Sequence, residues 1–294
     1  MVVHPRVLRI QSECLADDLQ LSEEMNSWTD AELVGFFESG GVARPNRAAG
    51  LATRTHDSPI RVLCLHGGGT NRKVMEHQTA LLRSTMGPAA SFDFLEGGRP
   101  WNDAEVEPVV RRMFGDGPYY GWYGVEHDGP KSEATGLAAL MSYIGLLEDI
   151  DNVKFTYSDV ELAIAKLETH VAGHGPFDAL IGFSQGAIVA TLATAIALER
   201  QQLGQGLGPP WKRVVLICGM PPRDSRYISR FFGAAPLNFP ATLVFGKRDP
   251  FNRYGQRLKD CFLHPMVMEH DEGHKFPSSQ DFSKQLAEHI LSVL

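Results

Sequence analysis

Cysteine is scarce. The chain has only Cys14, Cys64, Cys218 and Cys261, and no two of them form a CxxC pair. Cys64 and Cys218 fall within apolar, strand-like runs. They read as buried reduced thiols, which suits a reducing compartment. No apolar run reaches the ~18 residues that a bilayer-spanning helix needs. The first residues lack the apolar stretch of a signal peptide, and they carry Glu13, Asp17, Asp18, Glu23 and Glu24, which transit peptides avoid. Lys and Arg form no block, and the formal net charge is −7. Nucleic acid and anionic membrane surfaces are therefore not expected partners. No repeat is visible, and nothing calls for a metal or an organic cofactor. These absences predict a soluble intracellular protein, placed in the cytoplasm, with the nucleus also open to it.

What the chain does have is a large apolar complement. Hydrophobic residues make up 43% of its 294 positions, enough for a sizeable core. Residues 1–58 read as an N-terminal extension. In it, Thr29-Asp-Ala-Glu32 forms a capping box, a short helix runs through Phe36 and Phe37, and positions 43–58 form a linker. Residues 59–294 read as one domain in which short apolar strands alternate with helices. Strands are expected at 61–65, 91–95, 178–183, 213–218, 241–245 and 265–268. Helices are expected at about 73–83, 158–171 with Ser158 as N-cap, 185–202 and 279–293. Positions 96–150 show no clean period. Continuous apolar strands alternating with helices predict a mostly parallel sheet flanked by helices, an α/β fold whose chemistry sits just past the strand ends.

At one such end stands Gly182-Phe-Ser-Gln-Gly186, between a strand and an Ala-rich helix. A serine on a sharp strand-to-helix turn needs glycine two residues to either side, because side chains there would collide. Ser184 is thus the candidate nucleophile. The Gln185 backbone N–H, at the helix start, is a candidate oxyanion donor. His66-Gly-Gly-Gly69 follows the first core strand. The Gly68 N–H is the expected second donor, with Gly69 as the alternative. His66 is expected to brace this loop rather than act as a base. The spacing does not fit a phosphate-binding loop.

Triads of this fold run in the order serine, acid, histidine. Asp249, in Gly246-Lys-Arg-Asp-Pro250, follows the next-to-last strand and is the expected acid; Asp224 is its rival. His274, after Gly273 in the loop beyond the last strand, is the expected base, and His270 is the alternative. The aromatics from Trp101 to Tyr123, with Tyr119, Tyr120 and Trp122 as the named substrate contacts, either line an acyl pocket above Ser184 or pack an insertion onto the sheet.

Taken together, Leu63-Cys-Leu-His-Gly-Gly-Gly-Thr-Asn71, Tyr119-Tyr-Gly-Trp122, Gly175-Pro-Phe-Asp178, Gly182-Phe-Ser-Gln-Gly-Ala187, Gly246-Lys-Arg-Asp249 and Gly273-His-Lys-Phe276 resemble the FSH family of serine hydrolases, over about residues 60–294. The resemblance implies an α/β-hydrolase fold and a Ser184–Asp249–His274 triad. It also implies carboxylesterase or thioesterase activity on a small-molecule ester or thioester, in some members one with a long acyl chain. Where the family often has a bulky residue after the His-Gly of the oxyanion loop, this chain has Gly68. A peptidase or acyltransferase on the same fold, or a non-catalytic binding protein, are the competing readings.

Overall fold

The computed structural model describes residues 58–292, apart from 103–105, 107, 135 and 234. The capping box, short helix and linker expected in the N-terminal extension lie outside the described residues. The sheet is built from β1 (Ile60–Leu65), β2 (Ala90–Leu95), β7 (Ala179–Phe183), β8 (Arg213–Ile217), β9 (Ala241–Gly246) and β10 (Met266–His270). Its six strands run in the order β10-β9-β8-β7-β1-β2, and every pairing is parallel.

Side chains on a strand alternate between faces, so each apolar run feeds two cores. Leu63, Leu65, Leu180, Leu216, Leu243 and Phe245 pack on one face. They meet α5 (Val160–His174) and α6 (Gln185–Gln202) through residues such as Ile164, Leu167, Val189 and Leu192. Val62, Cys64, Ile181, Val215, Ile217 and Val244 pack on the other. They meet α1 (Arg72–Gln78), α2 (Ala80–Met86) and α7 (Gln280–Ser292) through Met75, Leu82, Leu286 and Ile290. This is the helix–sheet–helix sandwich of an α/β-hydrolase. No helix among the described residues is long and apolar enough to cross a membrane.

Three local expectations need correction. The helix expected over 73–83 is two helices, divided at Thr79. This residue is buried and turns its hydroxyl back onto the Met75 carbonyl at 2.8 Å, competing with the helical ladder. Ser158 does not cap α5: it ends β6 (Phe155–Ser158), and the N-cap is Asp159, with a left-handed backbone at φ 65°. The unpatterned region 96–150 contains one small antiparallel ribbon and the first strand of another. One pairs β3 (Arg99–Pro100) with β4 (Tyr120–Gly121), and the other pairs β5 (Gly124–His127) with β6. It also contains α3 (Pro108–Phe114) and α4 (Gly136–Glu148). Strands of two to four residues are too short to show a period. In α4, Leu140, Tyr143, Ile144 and Leu147 are all buried, a spacing of one helical face that was there to be read.

Candidate active site

The turn from β7 to α6 is tight because nothing protrudes from it. A Cβ on Gly182 would come within 2.6 Å of the Gly186 carbonyl oxygen, and one on Gly186 within 2.4 Å of the Leu65 carbonyl oxygen. Ser184, held between them, has φ 50° and ψ −114°. Such a backbone costs on the order of 1–3 kcal/mol and persists only where its surroundings enforce it. Its N–H donates to the Ile217 carbonyl at 3.0 Å, and its own carbonyl accepts from Ala187 N–H at 3.0 Å, starting α6. The side chain is thereby projected past the carboxyl ends of the strands.

The three candidate triad residues meet there. His274 Nε2 lies 2.8 Å from Ser184 Oγ, and His274 Nδ1 lies 2.8 Å from Asp249 Oδ2. A carboxylate only accepts, so Nδ1 carries the proton and Nε2 presents its lone pair to the serine hydroxyl. The other carboxylate oxygen of Asp249 accepts from Phe251 N–H at 2.8 Å, which fixes the carboxylate plane. The rings of Phe183 and Phe251 stand 5.3 and 5.5 Å from the imidazole. All three residues are buried, with Ser184 and Asp249 7% exposed and His274 1%. Water therefore competes little for these hydrogen bonds.

The rival residues are placed elsewhere. Asp224 is fully buried in another network: it accepts from Tyr157 N–H at 2.7 Å and pairs with Arg226 at 2.7 Å. His270 ends β10 with its ring against Phe282, and among the described residues neither ring nitrogen has a hydrogen-bond partner. Cys218, Asp249 and His274 offer metal-ligand atoms within 4.8 Å of one another. Each is accounted for without an ion: the acid and imidazole by their mutual bond, the thiol by donation to the Lys275 carbonyl at 3.3 Å.

The glycine loop after β1 packs directly on this turn. A Cβ on Gly67 would sit 3.5 Å from Ser184 Cβ, and one on Gly68 3.3 Å from the Gln185 side chain. Gly69 N–H is already committed, donating to the Tyr120 carbonyl at 3.0 Å. Among the described residues, the N–H groups of Gly68 and Gln185 have no acceptor. His66 braces the loop from beneath. Gly97 N–H donates to its Nε2 at 2.8 Å, which leaves Nδ1 as donor to the Gly67 carbonyl at 2.7 Å. Asn71 then caps α1, its Oδ1 accepting from Val74 N–H at 3.1 Å.

Tyr119, Tyr120 and Trp122 do not line the cleft at Ser184. Tyr119 is buried in a separate cluster with Val74 and Val110, its hydroxyl donating to Gly115 O at 2.7 Å. Tyr120 pairs through its backbone with Pro100 and Thr70. Trp122 donates its indole N–H to the His66 carbonyl at 2.7 Å. These residues pack the insertion against α1, α3 and the glycine loop. The cleft is slender, with about 430 Å³ of empty space, part of it shared with solvent. Its walls are Tyr123, Tyr143, Tyr157, Tyr254, Ile188 and Met220, with Ser184 and Gln185 at one end. Burial pushes all four phenols up, so they remain protonated donors at neutral pH. The Gln185 side chain ties this wall to the turn, accepting from Trp122 N–H at 2.8 Å and donating to the Tyr123 carbonyl at 3.1 Å.

The chain is similar to known proteins over the same span. The family described as serine hydrolase (FSH1) matches residues 55–286. Esterase FPY3 of Fusarium mangiferae is 28% identical over 232 residues, covering 74% of this chain and 88% of that protein. Bovine esterase OVCA2 is 30% identical over 232 residues, covering 75% and 90%. The crystal structure of acyl-protein thioesterase 2 from Zea mays is 18% identical with a TM-score of 0.49, covering 81% of this chain and 97% of that one. A family match across most of the chain, over the span that carries the serine turn and its partners, places this protein in the FSH1 family of serine hydrolases.

Proposed function

We propose that this protein hydrolyses carboxylic esters or thioesters through an acyl-enzyme on Ser184. The observation that carries the reading is the pair of 2.8 Å contacts that puts His274 between Ser184 and Asp249. His274 Nε2 takes the hydroxyl proton as Ser184 Oγ attacks the acyl carbonyl carbon, and Asp249 stabilises the imidazolium. The carbonyl π-electrons move onto oxygen, where the N–H groups of Gln185 and Gly68 receive the negative charge. Collapse of the tetrahedral intermediate expels the alcohol or thiol, which takes the proton from His274. Water then attacks the acyl-serine by the same route, releasing the acid and restoring the serine. The committed N–H of Gly69 favours Gly68 as the second donor.

The names of the relatives, esterases from a fungus and a mammal, favour the same substrate class. The test is a fluorophosphonate probe with a panel of p-nitrophenyl esters and acyl-CoA thioesters. Wild type should be labelled and should turn over esters, and Ser184→Ala should lose both. Labelling that survives in Ser184→Ala would overturn the assignment.

A further inference from the structure

Among the polar groups of the cleft that the catalytic scheme does not use, the Tyr143 hydroxyl stands out. Tyr143 is only 7% exposed, yet it lines the same cleft as Ser184. Two of the neighbouring hydroxyls are engaged. Tyr157 OH accepts from Arg223 N–H at 2.8 Å and Tyr254 OH donates to Pro221 O at 3.4 Å, while the Tyr123 ring stacks on that of Tyr157 at 4.3 Å. Among the described residues the Tyr143 hydroxyl has no protein partner, and it is not among the fully covered polar atoms that lack one. It therefore keeps accessible surface in the cleft. Its ring is fixed edge-on against Phe155 at 6.2 Å. Arg223, with its guanidinium over Phe155 and bound to the carbonyls of Leu147 and Val153, holds the end of α4 behind it.

We infer that Tyr143 is a specificity-determining residue, and that the acyl groups preferred here carry a hydrogen-bonding oxygen along the chain or on a ring, rather than being plain hydrocarbon. This deepens the esterase reading and rests on it. A plain hydrocarbon chain filling the cleft strips water from the hydroxyl and returns nothing. An oxo or hydroxyl oxygen in the acyl group replaces that water. Sites built around a hydrogen-bonding group discriminate against ligands that leave it unpaired far more strongly than apolar sites discriminate by size.

The experiment compares p-nitrophenyl esters matched in length. Hexanoate is set against 4-oxo- and 5-oxohexanoate, and 3-phenylpropanoate against 3-(4-hydroxyphenyl)propanoate, with wild type and Tyr143→Phe. Wild type should favour the better oxygenated member of at least one pair by roughly tenfold or more in kcat/KM. Tyr143→Phe should bring that ratio close to one, in part by raising turnover of the plain ester. Equal or better use of the plain ester in every pair by wild type overturns the inference whether or not the variant folds. A preference that persists unchanged in Tyr143→Phe overturns it as well. In either case, continued labelling at Ser184 leaves the esterase reading standing. Loss of all turnover and labelling in wild type defeats both.

Discussion

The indole N–H of Trp122 donates to the carbonyl oxygen of His66 at 2.7 Å, and the two rings stand 5.1 Å apart. This bond, with those of Gly69 N–H to the Tyr120 carbonyl and Tyr120 N–H to the Thr70 carbonyl, joins the aromatic insertion to the glycine loop that faces Ser184. It explains how Trp122 supports the site without lining the cleft, which Tyr123 of the same segment reaches. Trp122→Phe keeps most of the packing but leaves a buried carbonyl without its donor. Such a loss costs about 1–3 kcal/mol. Urea unfolding should show that decrease. Ester turnover should fall several-fold through kcat, because the loop holding Gly68 loses one of its ties to the insertion. Stability lost with kcat unchanged would separate the brace from the chemistry.

Asp249 and His274 supply a sharper test. Asp249→Asn keeps the shape and the Phe251 N–H bond, but it can present an amide N–H to Nδ1, which then carries no proton and leaves Nε2 protonated against Ser184. The analogous change in a well-studied protease, a worked case of this logic, lowers turnover about 10⁴-fold. A loss of that order in kcat, with thermal stability close to wild type, is expected here. A loss under tenfold would remove Asp249 from its role and reopen the question of which carboxylate orients the base.

Much of this was legible in the chain because the features involved are local. The six sheet strands are short apolar runs, and the serine turn is specified by two glycines within five residues. Asp249 and His274 could be placed because strand order fixes which loops reach the sheet edge. The cleft could not be placed in that way. Tyr143, Tyr157 and Tyr254 come from α4, β6 and a short helical turn at Asn252–Gly255, brought together only by packing. Tyr119 and Tyr120 looked like substrate contacts because aromatic composition does not reveal which way a side chain turns. Their neighbour Tyr123 is the one that reaches the cleft.

Gly246 shows how the Asp249 and His274 loops are fitted to each other. A Cβ there would lie 2.1 Å from the carbonyl oxygen of Gly273, the residue before His274. Backbone cannot yield to that contact without moving. Gly246→Ala should therefore shift the His274 loop and cost about 1–3 kcal/mol as an overpacked site. Misplacement of a reacting group by about 1 Å costs on the order of 10²-fold in rate. The expected result is a large loss of kcat together with slower fluorophosphonate labelling. Wild-type kinetics in Gly246→Ala would mean that the two loops are not rigidly coupled.

His270 gives the pH dependence a definite sign. Burial, with a smaller contribution from Lys275, lowers its proton affinity below the ordinary histidine range, against the opposing pull of Glu272, Asp249 and Asp271. Folded protein therefore keeps the ring neutral while the unfolded chain, with an ordinary value of about 6.5, takes up a proton. The unfolded state binds more protons across this interval, so stability rises with pH there. Its contribution is fully present above about 6.5 and is lost as pH falls from there towards the lowered folded value. Among the described residues both ring nitrogens lack hydrogen-bond partners and the ring faces Phe282, so His270→Leu removes the titration and adds an apolar neighbour. Denaturant midpoints measured from pH 7.5 to pH 5 should fall less steeply for His270→Leu than for wild type. The variant should also match or exceed wild type at the acidic end. Parallel pH profiles would show that His270 does not set acid stability, and would move that role to the carboxylates around the His274 loop.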